Sequence, residues 1–165
     1  NLKITELDDN FNKFFEALNF VNQTLAKEIA RDGEGATKLI TCKVSGAKTY
    51  EDAKALSKSV ISSSLVKAAM FGSDANWGRV LCAMGYSSGS FSPETAVVSF
   101  ASKNGTIKVC EKGAGLVFDE DLAKKILNTD AVEILVELSD GTCSAEAWGC
   151  DLTYDYVKIN GDYRT

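Results

Sequence analysis

Between residues 11 and 29 apolar side chains recur at Phe11, Phe14, Phe15, Leu18, Val21, Leu25 and Ile29, the spacing of one face of a helix. Asp8 or Asp9 stands where an N-cap belongs, and the stripe is expected to pack as core against a sheet rather than to hold a cofactor. Ala36 to Val44 is rich in β-branched residues and alternates as a strand. Thr49 and Asp52 have the spacing of a capping box, opening a helix with Ala53, Leu56 and Val60 on one face and an end near Ser63. Leu65 to Met70 is apolar apart from Lys67, and Val80 to Met84 reads as a short helix closed by Gly85.

The second half is richer in strands. Thr95 to Ala101 and Thr106 to Cys110 flank Asn104-Gly105, a strong hairpin signal. Asp119 caps a helix through Leu127. Val132 to Leu138 alternates, Asp140-Gly141 turns the chain, and Thr142 to Trp148 alternates back as its expected partner. Asp151 to Ile159 is a final short helix. This order predicts an α+β fold, a layered sandwich with antiparallel content. The single proline, Pro93, lies in the loop Ser87 to Glu94, which is the best boundary between a lobe at 1–86 and a lobe at 87–165.

Composition narrows the function more than the fold. With 165 residues and 45% hydrophobic content the chain can bury a core. Acids outnumber bases 23 to 18, and no basic run is dense enough to track a phosphate backbone, which argues against a nucleic-acid partner. No apolar run has bilayer length and the start lacks a signal-peptide pattern, so a soluble, intracellular chain is expected. The five scattered cysteines include no Cys-x-x-Cys pair, and reduced, mostly buried thiols without a metal are expected. The absence of histidine removes Ser-His-Asp, Cys-His and His-metal chemistry from this chain acting alone.

Two stretches carry candidate chemistry. Arg31 to Lys38 reads Arg-Asp-Gly-Glu-Gly-Ala-Thr-Lys, a junction where glycines at 33 and 35 flank one carboxylate, Glu34. It is either a glycine cap with Glu34 in solvent or a binding-site acid on a hinge. Phe71 to Arg79 reads Phe-Gly-Ser-Asp-Ala-Asn-Trp-Gly-Arg. Asp74, Asn76 and Arg79 are either a self-satisfied loop or support for a site. Ser62, Ser63 and Ser64 suit helix-end hydrogen bonding better than nucleophilic chemistry.

These two stretches, with Leu-Val-Lys at 65–67, Gly-Tyr-Ser at 85–87 and the ending Ile-Asn-Gly-Asp-Tyr-Arg-Thr at 159–165, resemble the ornithine acetyltransferase family of arginine biosynthesis. The likeness runs from the first helix to the last residue. It implies an enzyme of the N-terminal-nucleophile type, a precursor that cuts itself into α and β chains between an alanine and a threonine. The freed threonine accepts acetyl from N-acetylornithine and passes it to glutamate, giving ornithine and N-acetylglutamate. Its own α-amine serves as base, so a chain without histidine is no objection.

No cofactor is implied; acetyl-CoA is a possible acetyl donor. The implied partner is the α chain, in an α2β2 assembly, cytoplasmic in bacteria and mitochondrial in fungi. The resemblance makes this chain the C-terminal portion of the β chain, with the nucleophilic threonine upstream and the piece inactive alone. It assigns Glu34, Asn160 and Thr165 to substrate binding, and leaves Asp74, Asn76 and Arg79 as possible support. Gly161 stands where the family usually has alanine, and the tail is expected to order on substrate binding. Two other readings are a related self-cleaving amidase or aminopeptidase, and a non-catalytic interaction domain.

Overall fold

The structure, a computed structural model, describes residues 3–163. Helix α1 (Asp9–Arg31) begins at Asp8, whose carboxylate accepts from the Phe11 amide. Strand β1 (Leu39–Ala47) follows, then α2 (Tyr50–Ser62), α3 (Ser64–Phe71) and α4 (Trp77–Gly85). A 3-10 turn at Pro93–Thr95 leads into β2 (Val97–Ser102), β3 (Gly105–Glu111) and the short β4 (Ala114–Gly115). Helix α5 (Glu120–Leu127), β5 (Ala131–Glu137), β6 (Cys143–Cys150) and α6 (Tyr154–Asp162) complete the order. The caps follow the local chemistry. Thr49 accepts from the Asp52 amide, Ser63 from Val66, Asn76 from Arg79, Asp119 from Leu122 and Thr153 from Tyr156, each satisfying a donor that the first helical turn leaves open.

The strands form one six-stranded mixed sheet in the order β4-β3-β2-β5-β1-β6. β1 and β5 are parallel, Leu39 opposite Ala131 through Ser45 opposite Glu137; the other pairings are antiparallel. Alternation puts Ile40, Cys42 and Val44 of β1, Val132, Ile134 and Val136 of β5, and Val98 and Phe100 of β2 on one face, all buried. Helices α2 to α5 bring Leu56, Val60, Val66, Met70, Val80, Met84, Ile126 and Leu127 into the same apolar cluster. The opposite face shows Lys43, Glu133, Glu146 and Trp148, with Lys43 Nζ 2.7 Å from Glu133. Among the described residues no helix is long and apolar enough to cross a membrane.

Four expectations need correction. First, β5 and β6 are not partners across the Asp140-Gly141 turn, because β1 lies between them and pairs with both. Local alternation cannot reveal that a strand from the first half will insert. Second, for the same reason the stretches 1–86 and 87–165 share one sheet and one apolar cluster.

Third, only Cys42 and Cys110 of the five free thiols are buried, and Cys82 is exposed. Burial drives the Cys42 thiol pKa well up, which keeps it protonated and inert.

The fourth concerns α1, which buries no residue. Phe14 is 55% exposed, Leu18 45%, Leu25 55% and Ile29 76%. The helix rests on β6 and β1 through its other flank: Gln23, Ala26, Lys27 and Ala30 are half-buried, and Lys27 Nζ sits 5.0 Å above the Trp148 ring. At 100° per residue the apolar stripe and this flank are about 130° apart. The helix is as patterned, but its stripe does not face the sheet.

Candidate functional site

The hinge is shaped by what it must lie against. Helix α1 closes with the Asp32 amide donating to Glu28 O at 2.9 Å, and a tight turn returns the Ala36 amide to Gly33 O at 2.9 Å. Gly35 has φ +65°, and a Cβ there would meet the Tyr156 amide nitrogen at 2.7 Å. Glycine is required at this position, both for the backbone conformation and because α6 passes directly over it.

Side chains near the start of α6 then clamp the hinge. Thr153 Oγ1 donates to Gly35 O at 2.7 Å while accepting from the Tyr156 amide at 3.1 Å, so one hydroxyl caps α6 and ties it to the hinge. The buried carboxylate of Asp151 accepts from the Thr37 amide at 2.8 Å, the Lys38 amide at 3.0 Å and the Thr37 hydroxyl. A carboxylate holding several N–H and O–H donors is a strong anchor.

Lys38 continues the clamp inward. It is only 7% exposed, and its Nζ donates to Met70 O at 2.7 Å, Ser73 Oγ at 2.8 Å and Leu127 O at 2.9 Å. All three ammonium protons are thereby placed. Burial lowers the Lys38 pKa, and the nearby Asp151 charge opposes that shift.

On this frame the two described site candidates meet. Asn160 Nδ2 donates to Glu34 Oε2 at 2.9 Å across 126 residues of sequence, and also to Tyr156 O at 2.9 Å. Both side chains are exposed. Among the described residues no hydrogen bond takes up Glu34 Oε1 or Asn160 Oδ1. The pair thus presents an anionic acceptor beside an amide acceptor, an arrangement that suits a small ligand bearing an ammonium group. Thr165, the third candidate, lies outside the described residues.

The loop candidates do not join them. Asn76 Nδ2 donates to Asp74 at 3.0 Å, Asn76 Oδ1 caps α4, and Arg79 Nη1 donates to Leu65 O at 3.0 Å. This is the self-satisfied arrangement. Ser73 of the loop, which has φ +54°, accepts from Lys38 of the hinge.

Lys38, Asp151 and Thr153 were not singled out from the sequence. Their signal was faint: Lys38 directly precedes a strand that is apolar on its buried face, and Thr153 has cap spacing to α6. Nothing local marks Asp151 as the hinge's anchor.

Fold and site together define an α+β protein in which a glycine hinge and a C-terminal helix hold an exposed acid–amide pair. The ArgJ family model matches residues 1–165, and the chain belongs to the ArgJ family. It is 54% identical over its whole length to the arginine biosynthesis bifunctional protein ArgJ 1 of Clostridium acetobutylicum, covering 40% of that protein. It is 50% identical, again over its whole length, to the arginine biosynthesis bifunctional protein ArgJ of Caldanaerobacter subterraneus subsp. tengcongensis, covering 41% of it. The crystal structure of arginine biosynthesis bifunctional protein ArgJ from Bacillus halodurans superposes with a TM-score of 0.91 at 42% identity, over 99% of this chain and 75% of that one. The chain therefore spans about 40% of the length of these curated relatives.

Proposed function

We propose that this chain is part of an acetyltransferase that moves acetyl from N-acetylornithine to glutamate, with the acetyl group carried on a threonine outside these 165 residues. The observation that carries the reading is the Glu34–Asn160 pair, formed in a chain that matches the family from end to end. In this mechanism Glu34 binds an ammonium group of ornithine through Oε1 while Oε2 is held by Asn160. The amide fixes the carboxylate so that its charge meets the ligand in one orientation, and such positioning serves transfer between two bound partners. Asn160 Oδ1 accepts from the substrate, and Thr165 adds a hydroxyl from the tail. The threonine attacks the acetyl carbonyl and releases ornithine; the amine of glutamate then attacks the acetyl-threonine ester and frees the hydroxyl. Acetyl-CoA can enter at the first step as an alternative donor. The working assembly pairs this chain with the α chain of the same precursor, as α2β2, in the cytoplasm.

The test is Glu34→Gln in the full-length gene product. Loss of the charge-assisted contact weakens amino-acid binding by about 1–3 kcal/mol, a rise of roughly 5- to 150-fold in KM. An unchanged KM for both N-acetylornithine and glutamate removes Glu34 from the site. Release of free acetate in place of transfer would move the family assignment of substrates to a hydrolase.

A further inference from the structure

We propose that Thr153 is a positioning residue for substrate binding: its one hydroxyl fixes the hinge to α6 in the arrangement that lets Glu34 and Asn160 meet a ligand together. The inference rests on the reading above, in which Glu34 takes an ammonium group of the substrate, and it adds a residue that acts through Glu34 without touching the ligand.

Glu34 and Asn160 are poorly placed to hold each other unaided. Both side chains are exposed, so the hydrogen bond between them competes with water. Glu34 also stands between Gly33 and Gly35, whose backbones have wide freedom. What fixes the pair lies beneath it. Thr153 is 4% exposed, and its Oγ1 donates to Gly35 O at 2.7 Å while accepting from the Tyr156 amide at 3.1 Å. Tyr156 O accepts from Asn160 Nδ2 at 2.9 Å, and the same amide nitrogen donates to Glu34 Oε2 at 2.9 Å. Glu34 and Gly35 share a peptide bond, so these four hydrogen bonds form a closed circuit.

Closure has two physical consequences. Both Nδ2 protons of Asn160 are committed, which sets the orientation of its amide and leaves Oδ1 as its acceptor for a ligand. The second consequence concerns reach. Thr153 lies about 10 Å along α6 from Asn160, yet it decides where the Glu34 carboxylate stands, because moving the Gly35 carbonyl moves the backbone of its neighbour. The contact has little slack: a Cβ on Gly35 would meet the Tyr156 amide nitrogen at 2.7 Å and the Asp155 carbonyl carbon at 3.0 Å. An acid held in one geometry before the ligand arrives lowers the ordering cost of binding. The effect of Thr153 therefore falls on KM and leaves the transfer step alone.

The experiment measures acetyl transfer from N-acetylornithine to glutamate by the full-length gene product. Thr153→Val keeps the branched shape and removes the hydroxyl; it should raise KM for N-acetylornithine about fivefold, the worth of one neutral hydrogen bond, with kcat within about twofold of wild type. Thr153→Ser, which restores the hydroxyl, should return KM to within about twofold of wild type. An unchanged KM in Thr153→Val, or a loss confined to kcat, overturns the proposal.

Two further variants separate positioning from folding. Thr153→Asp keeps an oxygen to cap α6 but has no proton for Gly35 O, so it should raise KM as valine does; a wild-type KM would make Thr153 a helix cap and nothing more. In a Glu34→Ala background there is no carboxylate to position, and adding Thr153→Val should change KM by less than about twofold. Penalties that multiply in the double variant overturn the proposal. If Glu34→Ala alone leaves KM unchanged, the functional reading fails and takes the proposal with it, whereas a raised KM there with none in Thr153→Val defeats the positioning role alone.

Discussion

Helices α1 and α2 begin with the same device and end in opposite environments. Each has a side-chain oxygen at the N-cap, Asp8 accepting from Phe11 and Thr49 from Asp52, and each carries an apolar face at helical spacing. In α2, Ala53, Leu56 and Val60 are 0% exposed against the sheet. In α1 the larger, more aromatic face is turned away from the sheet and half its surface stays open. A helical period records which side chains share an apolar face. It does not record whether the sheet covers that face.

The largest effect separates them by stability. Leu56→Ala removes a fully buried side chain between α2, β1 and β6 and should cost about 2–5 kcal/mol, cavity included. Leu25→Ala in the 165-residue chain should stay within about 0.5 kcal/mol, as for other exposed positions. Urea unfolding of both variants measures the difference directly. Equal losses would mean that α1 is packed as tightly as α2 and would end the comparison.

The second effect concerns the frame that joins α1 to the sheet. Lys38→Met keeps the stem and removes the donor to Met70 O, Ser73 Oγ and Leu127 O. Leaving buried acceptors unpaired should cost about 1–3 kcal/mol. The pH dependence has a definite sign. Burial places the folded Lys38 pKa below its ordinary 10.5, so in the window beneath 10.5 the unfolded chain holds the proton more tightly. Stability from this group therefore rises as pH climbs through that window. The variant should lose that alkaline rise in urea unfolding curves, and its persistence would assign the slope to another group.

What could be read in the sequence follows from range. Caps and helical faces are local, so Thr49, Asp119 and the β2–β3 hairpin are legible by inspection, and the first helix start is narrowed to Asp8 or Asp9, of which Asp8 is the cap. β6 was paired with β5 because the turn between them was visible, whereas the insertion of β1 depends on contacts across about ninety residues that no local pattern encodes. The site divides in the same way. Glu34 and Asn160 were named from motifs, but their contact, and the Asp151, Thr153 and Lys38 frame beneath it, arise only when the hinge and α6 meet. The stripe of α1 misled for a related reason: its period is right, and the face it marks is turned away from the sheet.

The smallest effect returns to the caps and compares an isolated helix start with one tied to the rest of the chain. Asp8 is held below its ordinary 3.8 chiefly by the Phe11 amide, within its own helix. Asp52 is also held below 3.8, chiefly by the Ser90 amide at 2.9 Å and then by Thr49, so its charge links α2 to the loop before β2. For both carboxylates the folded pKa lies below the unfolded one. Their contribution is present above pH 3.8 and is lost as pH falls through the folded value. Because Asp52 fastens a long-range contact, Asp52→Asn should flatten the acid limb of the stability curve and free the Ser87 to Ser90 segment for faster amide exchange. Asp8→Asn should leave exchange outside α1 untouched, since asparagine still caps. If both substitutions altered exchange at Ser90 alike, the α1 cap would be coupled to the core, contrary to the exposure of every side chain in its first turn but Phe11.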